Sequence, residues 1–365
     1  MVKALVNAAL YMVKLNVLRS LNRTPPPPLL VHLEVTKRCN LRCIHCAIRA
    51  DAPNGGEELS TDEIKSLIDS LSSLGTMYLS MSGGEPFLRK DIFDLVKYGK
   101  SRGLGLHISS NGTLITKGAA RRLNALGLDA ITISLDAVTP EIHDEIRGVR
   151  GAFEKAVSAI KNLVECKRRT QVGINAIVTD LNFHELPELV DFAAELGADG
   201  VRLQPWHPSL GRPETEDLLS VKRERLGELR RVLDEALRRA RRNGIYINSR
   251  TYIHGISQFF EDAEKLKVDC FAGFFSCNVS WEGVVYPCAF VPPVGSVRDE
   301  RFEEIWRSER FKAVRDDIRR GKCPKCWMNC FIEPSLRCSL KYAVREPLKY
   351  VGDLRYFYRS LGEFS

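Results

Sequence analysis

Two rhythms of apolar and polar positions alternate along the chain from residue 30 onward. Short runs with period-two or continuous apolar character read as strands: Val31–Thr36, Met77–Ser82, Gly105–Ser109, Ala130–Leu135, Val172–Val178 and Gly200–Gln204. Between them, apolar residues recur at helical spacing over Thr61–Leu74, Asp91–Arg102, Lys117–Ala125, Ala152–Cys166 and Glu185–Leu196. Thr61, Glu63 and Ile64 mark a capped start, and Gly75, Gly103, Gly127 and Gly197 close helices. Strand–helix repeats in series predict a parallel α/β sheet, doubly wound or a partial barrel.

The flanks differ. In residues 1–22 the longest unbroken apolar run is Ala8–Val13, too short to span a membrane. On a helix Val2, Leu5, Val6, Ala9, Leu10, Val13 and Val17 share a face. That face is expected to dock on its own protein, the alternative being peripheral membrane contact through residues 1–22 with basic flanks. Pro25–Pro28 is a stiff, extended separator. A long charged helix over Val221–Asn243 carries Leu226, Leu229, Leu233, Leu237 and Ala240 as its packed stripe. From Cys270 onward no long helical period or strand series is visible, so folding there is expected to depend on metal. This organisation divides the chain into 1–28 (helix and proline linker), 29–245 (barrel), 246–345 (small cysteine-rich domain) and 346–365 (tail).

Composition narrows the class. With 44% apolar and 27% charged residues, the chain of 365 residues is neither disordered nor fibrous. Its net charge of +8 invites a nucleic-acid reading. The basic residues of 221–243 are interleaved with Glu224, Glu228, Asp234 and Glu235 and lack aromatics, which argues against base stacking.

Of the 11 cysteines, Cys39, Cys43 and Cys46 form one group and Cys270, Cys277, Cys288, Cys323, Cys326, Cys330 and Cys338 another, with Cys166 apart. Such triplets suit metal thiolates, and thiolates need a reducing compartment, so a cytoplasmic location is expected. Three thiolates in CxxxCxxC can hold three irons of a [4Fe–4S] cube and leave the fourth open. A zinc site completed by His32 or His45 is the alternative.

Together with Ser82-Gly-Gly-Glu-Pro86 after the second strand, this motif makes the sequence resemble the radical S-adenosylmethionine (SAM) superfamily over most of residues 30–340. The resemblance implies an α/β fold, a partial (β/α)6 TIM-like barrel with a small C-terminal iron–sulfur domain. It implies a SAM-binding [4Fe–4S] cluster on Cys39, Cys43 and Cys46, and SAM held by Gly83, Gly84, Glu85 and Pro86. The two glycines would let backbone approach the ligand, and Glu85 would accept the SAM ammonium. By position Asn111, Ser134, Asp136, Arg147, Asn175 and Gln204 resemble the family's further SAM contacts, with Arg147 suited to the carboxylate.

The later cysteines resemble a SPASM extension, which implies one or two auxiliary [4Fe–4S] clusters on Cys270, Cys277, Cys288, Cys323, Cys326, Cys330 and Cys338. Their CxxC-x3-C-x7-C spacing departs from the usual CxxC-x5-C-x3-C, and seven thiols are one short of two full cubes. Ala289-Phe290 disfavours a sulfatase maturase, and the C-terminal Leu361-Gly-Glu-Phe-Ser365 a molybdenum-cofactor cyclase. The implied activity is reductive cleavage of SAM and hydrogen abstraction from a peptide or small-molecule substrate, in peptide maturation or cofactor biosynthesis. Alternatives are radical modification of a lipid or tetrapyrrole at a membrane surface, RNA modification, and last an iron–sulfur carrier. A reduced ferredoxin- or flavodoxin-like donor is the implied electron source.

Overall fold

The computed structural model describes residues 2–47, 57–210 and 213–351. The first helix is α1 (Val2–Ser20). A βα series follows: β1 (Leu30–Thr36), α2 (Thr61–Leu74), β2 (Tyr78–Gly83), α3 (Ile92–Ser101), β3 (Gly105–Ser110), α4 (Lys117–Ala125), β4 (Ala130–Ser134), α5 (Pro140–Arg147), α6 (Ala152–Cys166), β5 (Gln171–Val178), α7 (Leu186–Glu195) and β6 (Gly200–Pro205). Next come α8 (Glu216–Leu219), α9 (Leu226–Asn243), β7 (Tyr246–Ile247), α10 (Arg250–Asp262), β8 (Ser276–Val279), β9 (Val284–Tyr286), β10 (Gly295–Ser296), α11 (Phe302–Arg307), α12 (Glu309–Arg319), α13 (Asn329–Cys338) and α14 (Leu340–Arg345).

Local chemistry explains these elements. Ser60 caps α2, accepting from the Glu63 amide while the Glu63 side chain accepts from the Ser60 amide. Ile64, Leu67, Ile68 and Leu71 form its buried face, and Gly75 ends it at φ 86°. Helix α5 lies in a stretch where no helix was expected. Pro140 starts it and Gly148 ends it at φ 67°, and eight residues are too few to show a clear period.

All strands join one ten-stranded sheet in the order β10-β9-β8-β1-β2-β3-β4-β5-β6-β7. The six predicted strands run parallel and in chain order. On β1, Val31, Leu33 and Val35 face the helices and are buried in the main core, while His32 and Glu34 face the other way. Strand β8 pairs parallel with β1, Leu30 opposite Ser276 through Leu33 opposite Val279.

The cysteine-rich segment therefore shares the barrel's sheet and core, contrary to the expectation that it lacks conventional packing. Phe302, Trp306 and Phe311 belong to the main core, with Trp306 edge-on to Phe311 at 4.8 Å between centroids. The Arg315 guanidinium stacks over both rings and donates to the carbonyls of Gly273 (2.6 Å) and Trp306 (2.7 Å). The proline stretch docks too, since the Trp306 indole N–H donates to the Pro26 carbonyl at 3.2 Å.

Trp306→Ala is expected to cost about 3–5 kcal/mol. Barrel helicity and protease protection after residue 270 should be lost in one transition on thermal unfolding. Two separate transitions would show that the segment unfolds by itself.

Candidate functional site

The loop after β1 carries Cys39, Cys43 and Cys46, and Glu58, Arg89 and the Gly84–Glu85 amides hold its root. Glu58 accepts from the Thr36 hydroxyl (2.6 Å) and the Lys37 amide (3.0 Å). Arg89, buried and paired with Asp91, donates to the carbonyls of Val35 (2.9 Å) and Leu59 (2.8 Å). The amides of Gly84 and Glu85 donate to the carbonyls of Thr36 and Arg38, each at 2.8 Å. A Cβ on Gly83 would lie 2.2 Å from the Thr36 carbonyl oxygen, and one on Gly84 would lie 2.1 Å from that of Arg38. These glycines are thus required by the cysteine loop itself, a reason beyond the ligand approach expected from sequence.

Glu85, expected to accept from the SAM ammonium, is engaged by the chain itself. It is fully buried, and its carboxylate accepts from the Ser110 hydroxyl (2.8 Å), the Phe87 amide (3.1 Å) and the Asn111 amide (2.7 Å). Burial pushes its pKa up while those bonds pull it down. Both oxygens are engaged by the chain, so Glu85 pins the turn after β3. Pro86 is buried beside it, at the start of the single helical turn Pro86–Leu88.

On the far side, the end of α5 grips the same loop. The Arg42 and Ile44 amides donate to the carbonyls of Arg147 (3.2 Å) and Ile146 (3.0 Å). Arg147 is buried, with Nε 2.6 Å from Asp136 and Nη1 donating to the Cys43 sulfur at 3.9 Å. Asp136 is fully buried and also accepts from the Ile177 amide (2.9 Å). Burial raises the Asp136 pKa, but Arg147, His143 and His45 together hold it below the ordinary range. Cys39 accepts from the Leu41 amide (3.5 Å) and from Asn111 Nδ2 (3.9 Å). Three thiols on one short loop, two of them facing N–H donors, fit an iron–sulfur cluster, because such donors stabilise thiolate charge.

The face of the sheet opposite the main core is polar. Register sets Asn278, His32, Ser80 and His107 abreast on β8, β1, β2 and β3, with Glu34 beside Ser82 in the next layer. A hydrogen-bonded chain crosses β2 to β5: Ser80 to His107 (2.8 Å), His107 to Thr132 (3.1 Å) and Asn175 Nδ2 to Thr132 (3.0 Å). Ser134 stands opposite Asn175, and Gln204 on β6 accepts from the Asn329 amide of α13 at 3.3 Å. His32 Nε2, Asn175 Oδ1 and Asn278 Oδ1 are buried without a hydrogen-bond partner. Burial lowers the pKa of His32 to about 4 and that of His107 to about 3, so both imidazoles are neutral at pH 7. Burial raises Glu34 to about 7. Arg202 reaches over the Tyr246 ring, 5.8 Å from its centroid, and has no acidic partner among the described residues. Most of these groups were missed from sequence, although the alternation His32-x-Glu34 on an otherwise apolar strand was their signal.

The C-terminal cysteines divide. Cys270, Cys288, Cys326 and Cys330 pack together with Ala272, Met328, Phe290 and Phe331, and Cys323 is close enough to act electrostatically on Cys270 and Cys288. Cys277 and Cys338, both expected as cluster ligands, stand apart. Cys277 points from β8 into the main core near Arg315, and Cys338 packs with Leu15, Phe271 and Phe274. A reduced thiol is a good apolar core residue, which spacing alone cannot distinguish from a ligand.

Residues 33–193 match the radical SAM superfamily, and residues 270–330 match the SPASM iron–sulfur cluster-binding domain. The chain is 33% identical over 321 residues to an AdoMet-dependent heme synthase of Methanosarcina barkeri, covering 82% of this chain and 88% of that one. The chain belongs to the radical SAM superfamily. An Fe-coproporphyrin III synthase of Methanosarcina barkeri is 31% identical over 74% of this chain and 72% of its own. A mycofactocin maturase of Mycolicibacterium smegmatis is 30% identical over 82% of this chain and 75% of its own. Streptococcus suis SuiB bound to S-adenosylmethionine shares the fold, with a TM-score of 0.64 at 18% identity over 80% of this chain and 68% of that one. This radical SAM enzyme uses [4Fe–4S] clusters and SAM. Cys39, Cys43 and Cys46 would hold the SAM-binding cluster, which when bound would supply the electron for reductive cleavage of SAM and so for hydrogen abstraction from substrate.

Two measurements check this geometry. Cys277→Ala and Cys338→Ala should each retain the wild-type iron and sulfide content after anaerobic reconstitution, whereas Cys288→Ala or Cys330→Ala should lose the auxiliary iron. Glu34 supplies the second. Its folded pKa of about 7 exceeds its ordinary 4.5. The native state therefore keeps a proton that the unfolded chain releases, and stability falls as pH rises from the ordinary value through the folded one. Glu34→Gln should raise stability by about 3 kcal/mol above pH 8 and change little near pH 4, measured as the thermal midpoint at both pH values.

Proposed function

We propose that this radical SAM enzyme works in cofactor biosynthesis and takes as substrate a tetrapyrrole bearing carboxylate side chains. The observation that carries this reading is Arg202, a half-buried cation on the polar face of the sheet with no acidic partner among the described residues. A cation so placed suits a substrate carboxylate, and the neutral His107 imidazole near it offers an uncharged donor and acceptor. Kinship to heme synthases along most of their length supports the tetrapyrrole scaffold. A peptide is the second reading, favoured by the likeness to the mycofactocin maturase.

Within this reading Cys39, Cys43 and Cys46 hold the SAM-binding cluster, and the backbone of Gly83–Pro86 with the side chains of Ser134, Asn175 and Gln204 faces SAM or substrate. Asn111 and Arg147 position the sulfurs of Cys39 and Cys43, Asp136 fixes Arg147, and Glu85 fixes Asn111. Electrons come from a reduced ferredoxin- or flavodoxin-like protein. Cys270, Cys288, Cys326 and Cys330 hold one auxiliary cluster.

Anaerobic protein with SAM and dithionite should form 5′-deoxyadenosine faster when Fe-coproporphyrin III is added. Arg202→Ala should weaken porphyrin binding about ten- to a hundredfold, followed by absorbance titration, as loss of a charge-assisted contact requires. No stimulation by the porphyrin, together with unchanged binding by the variant, would remove the tetrapyrrole reading and leave the peptide.

A further inference from the structure

Helix α1 docks through the side that sequence periodicity did not select. Leu15 is fully buried against Phe271, Phe274 and Cys338. Asn16 Nδ2 donates to the Cys338 carbonyl (2.7 Å), Arg19 Nε donates to the Cys270 carbonyl (3.0 Å), and the Arg19 guanidinium covers the Phe271 ring at 5.0 Å. The anchoring side is thus Leu15 and Tyr11 packed on this cluster, with Asn16 and Arg19 bonded to backbone and Arg19 also paired with Asp269.

Of the apolar stripe expected to dock, Leu10, Val13 and Val17 are left outside, joined by Leu21 just beyond the helix end, while the side chains of Val2, Leu5, Val6 and Ala9 lie outside the described residues. Leu10, Val13, Val17 and Leu21 are 62%, 45%, 49% and 63% exposed. Their spacing puts them on one face, about 16 Å long at 1.5 Å per residue. A helix that only packs on its own protein turns such a stripe inward. The segment from α14 onward packs on the same helix, with the Tyr350 hydroxyl on Met12 sulfur at 3.9 Å, and exposes more apolar surface: Val344 at 80%, Leu348 at 89% and Val351 at 45%.

Charge selects the occupant. Helix α1 contains no acidic residue. Lys14, Arg23 and Arg345 are exposed around the stripe and the packed segment, and among the described residues no carboxylate pairs with them. A second copy of this chain would bring the same positive charges face to face across a two-fold axis, which repels. A bilayer with anionic headgroups would neutralise them and take the stripe into its acyl boundary. No helix among the described residues is long and apolar enough to cross a membrane, which leaves the in-plane arrangement for α1.

We infer that α1 is an in-plane docking helix for an anionic lipid surface, with Leu10, Val13, Val17 and Leu21 in the acyl boundary and Lys14 and Arg23 at the phosphates. The full-length, anaerobically reconstituted protein should sediment with vesicles of mixed phosphatidylcholine and phosphatidylglycerol, should do so less at high salt, and should not sediment with phosphatidylcholine alone. The combined variant Leu10→Ser, Val13→Ser, Val17→Ser, Leu21→Ser should lower the bound fraction by roughly tenfold or more with iron content and circular dichroism unchanged. Lys14→Glu with Arg23→Glu should weaken binding in the same direction without touching the stripe. Wild-type protein that stays in the supernatant with mixed vesicles overturns the inference. So does a solution dimer that the serine variant dissociates, which would assign the stripe to a second copy. Binding that appears only after removal of residues 352–365 would assign it to that segment instead.

Discussion

The buried pair Asp136–Arg147 is the contact on which the site's geometry depends. It joins the end of β4 to the end of α5, and through the Ile177 amide it also holds β5. Arg147 then reaches the cysteine loop twice, through its carbonyl to Arg42 and through its guanidinium to Cys43. Removing one member would leave the other charge buried alone, a change that typically costs about 3–5 kcal/mol. Gly148 belongs to the same device, since a Cβ there would lie 2.3 Å from the Arg42 carbonyl oxygen. Three separately coded pieces of chain thus place the Cys43 sulfur.

The sheet divides its labour by face. Val31, Leu33, Ile108, Ile131, Ile133, Val172 and Ile174 bury apolar surface against the helices and supply cohesion. The opposite face spends its residues on imidazoles, hydroxyls and amides linked across strands, with polar atoms left unpaired among them. Each such unpaired atom typically costs about 1–3 kcal/mol. That cost is tolerable because the apolar face is continuous, and it is what a polar ligand would recover.

How much of this could be read from the sequence follows from the physics of each signal. The six parallel strands and the helices between them were legible because a buried parallel strand must be apolar and a covering helix must repeat at 3.6. The cysteine loop was legible because three thiols at that spacing have few other uses. Helix α5 was not, being eight residues started by a proline, and neither were β8, β9 and β10, which have four, three and two residues. Cys277 and Cys288 looked equivalent on paper because a thiol serves a core and a cluster equally well. The motif of Glu85 points to a ligand, whereas the three internal donors on its carboxylate come from residues whose approach no local pattern signals.

The pairing of β8 with β1 also orders events in time. The partners Leu30 and Ser276 are separated by 276 − 30 = 246 residues. At a ribosomal rate of about 5–20 residues per second, β1 waits roughly 12 to 50 s for that neighbour. Throughout that interval it is an edge strand, its outer row of amides and carbonyls unpaired, with the cysteine loop hanging from its end. The nascent chain is therefore most exposed to oxidation and mispairing at the strand that will carry its reactive centre. Chaperone protection during synthesis, and iron insertion only after it, are the natural counterparts of a sheet whose first strand is completed by one of its last.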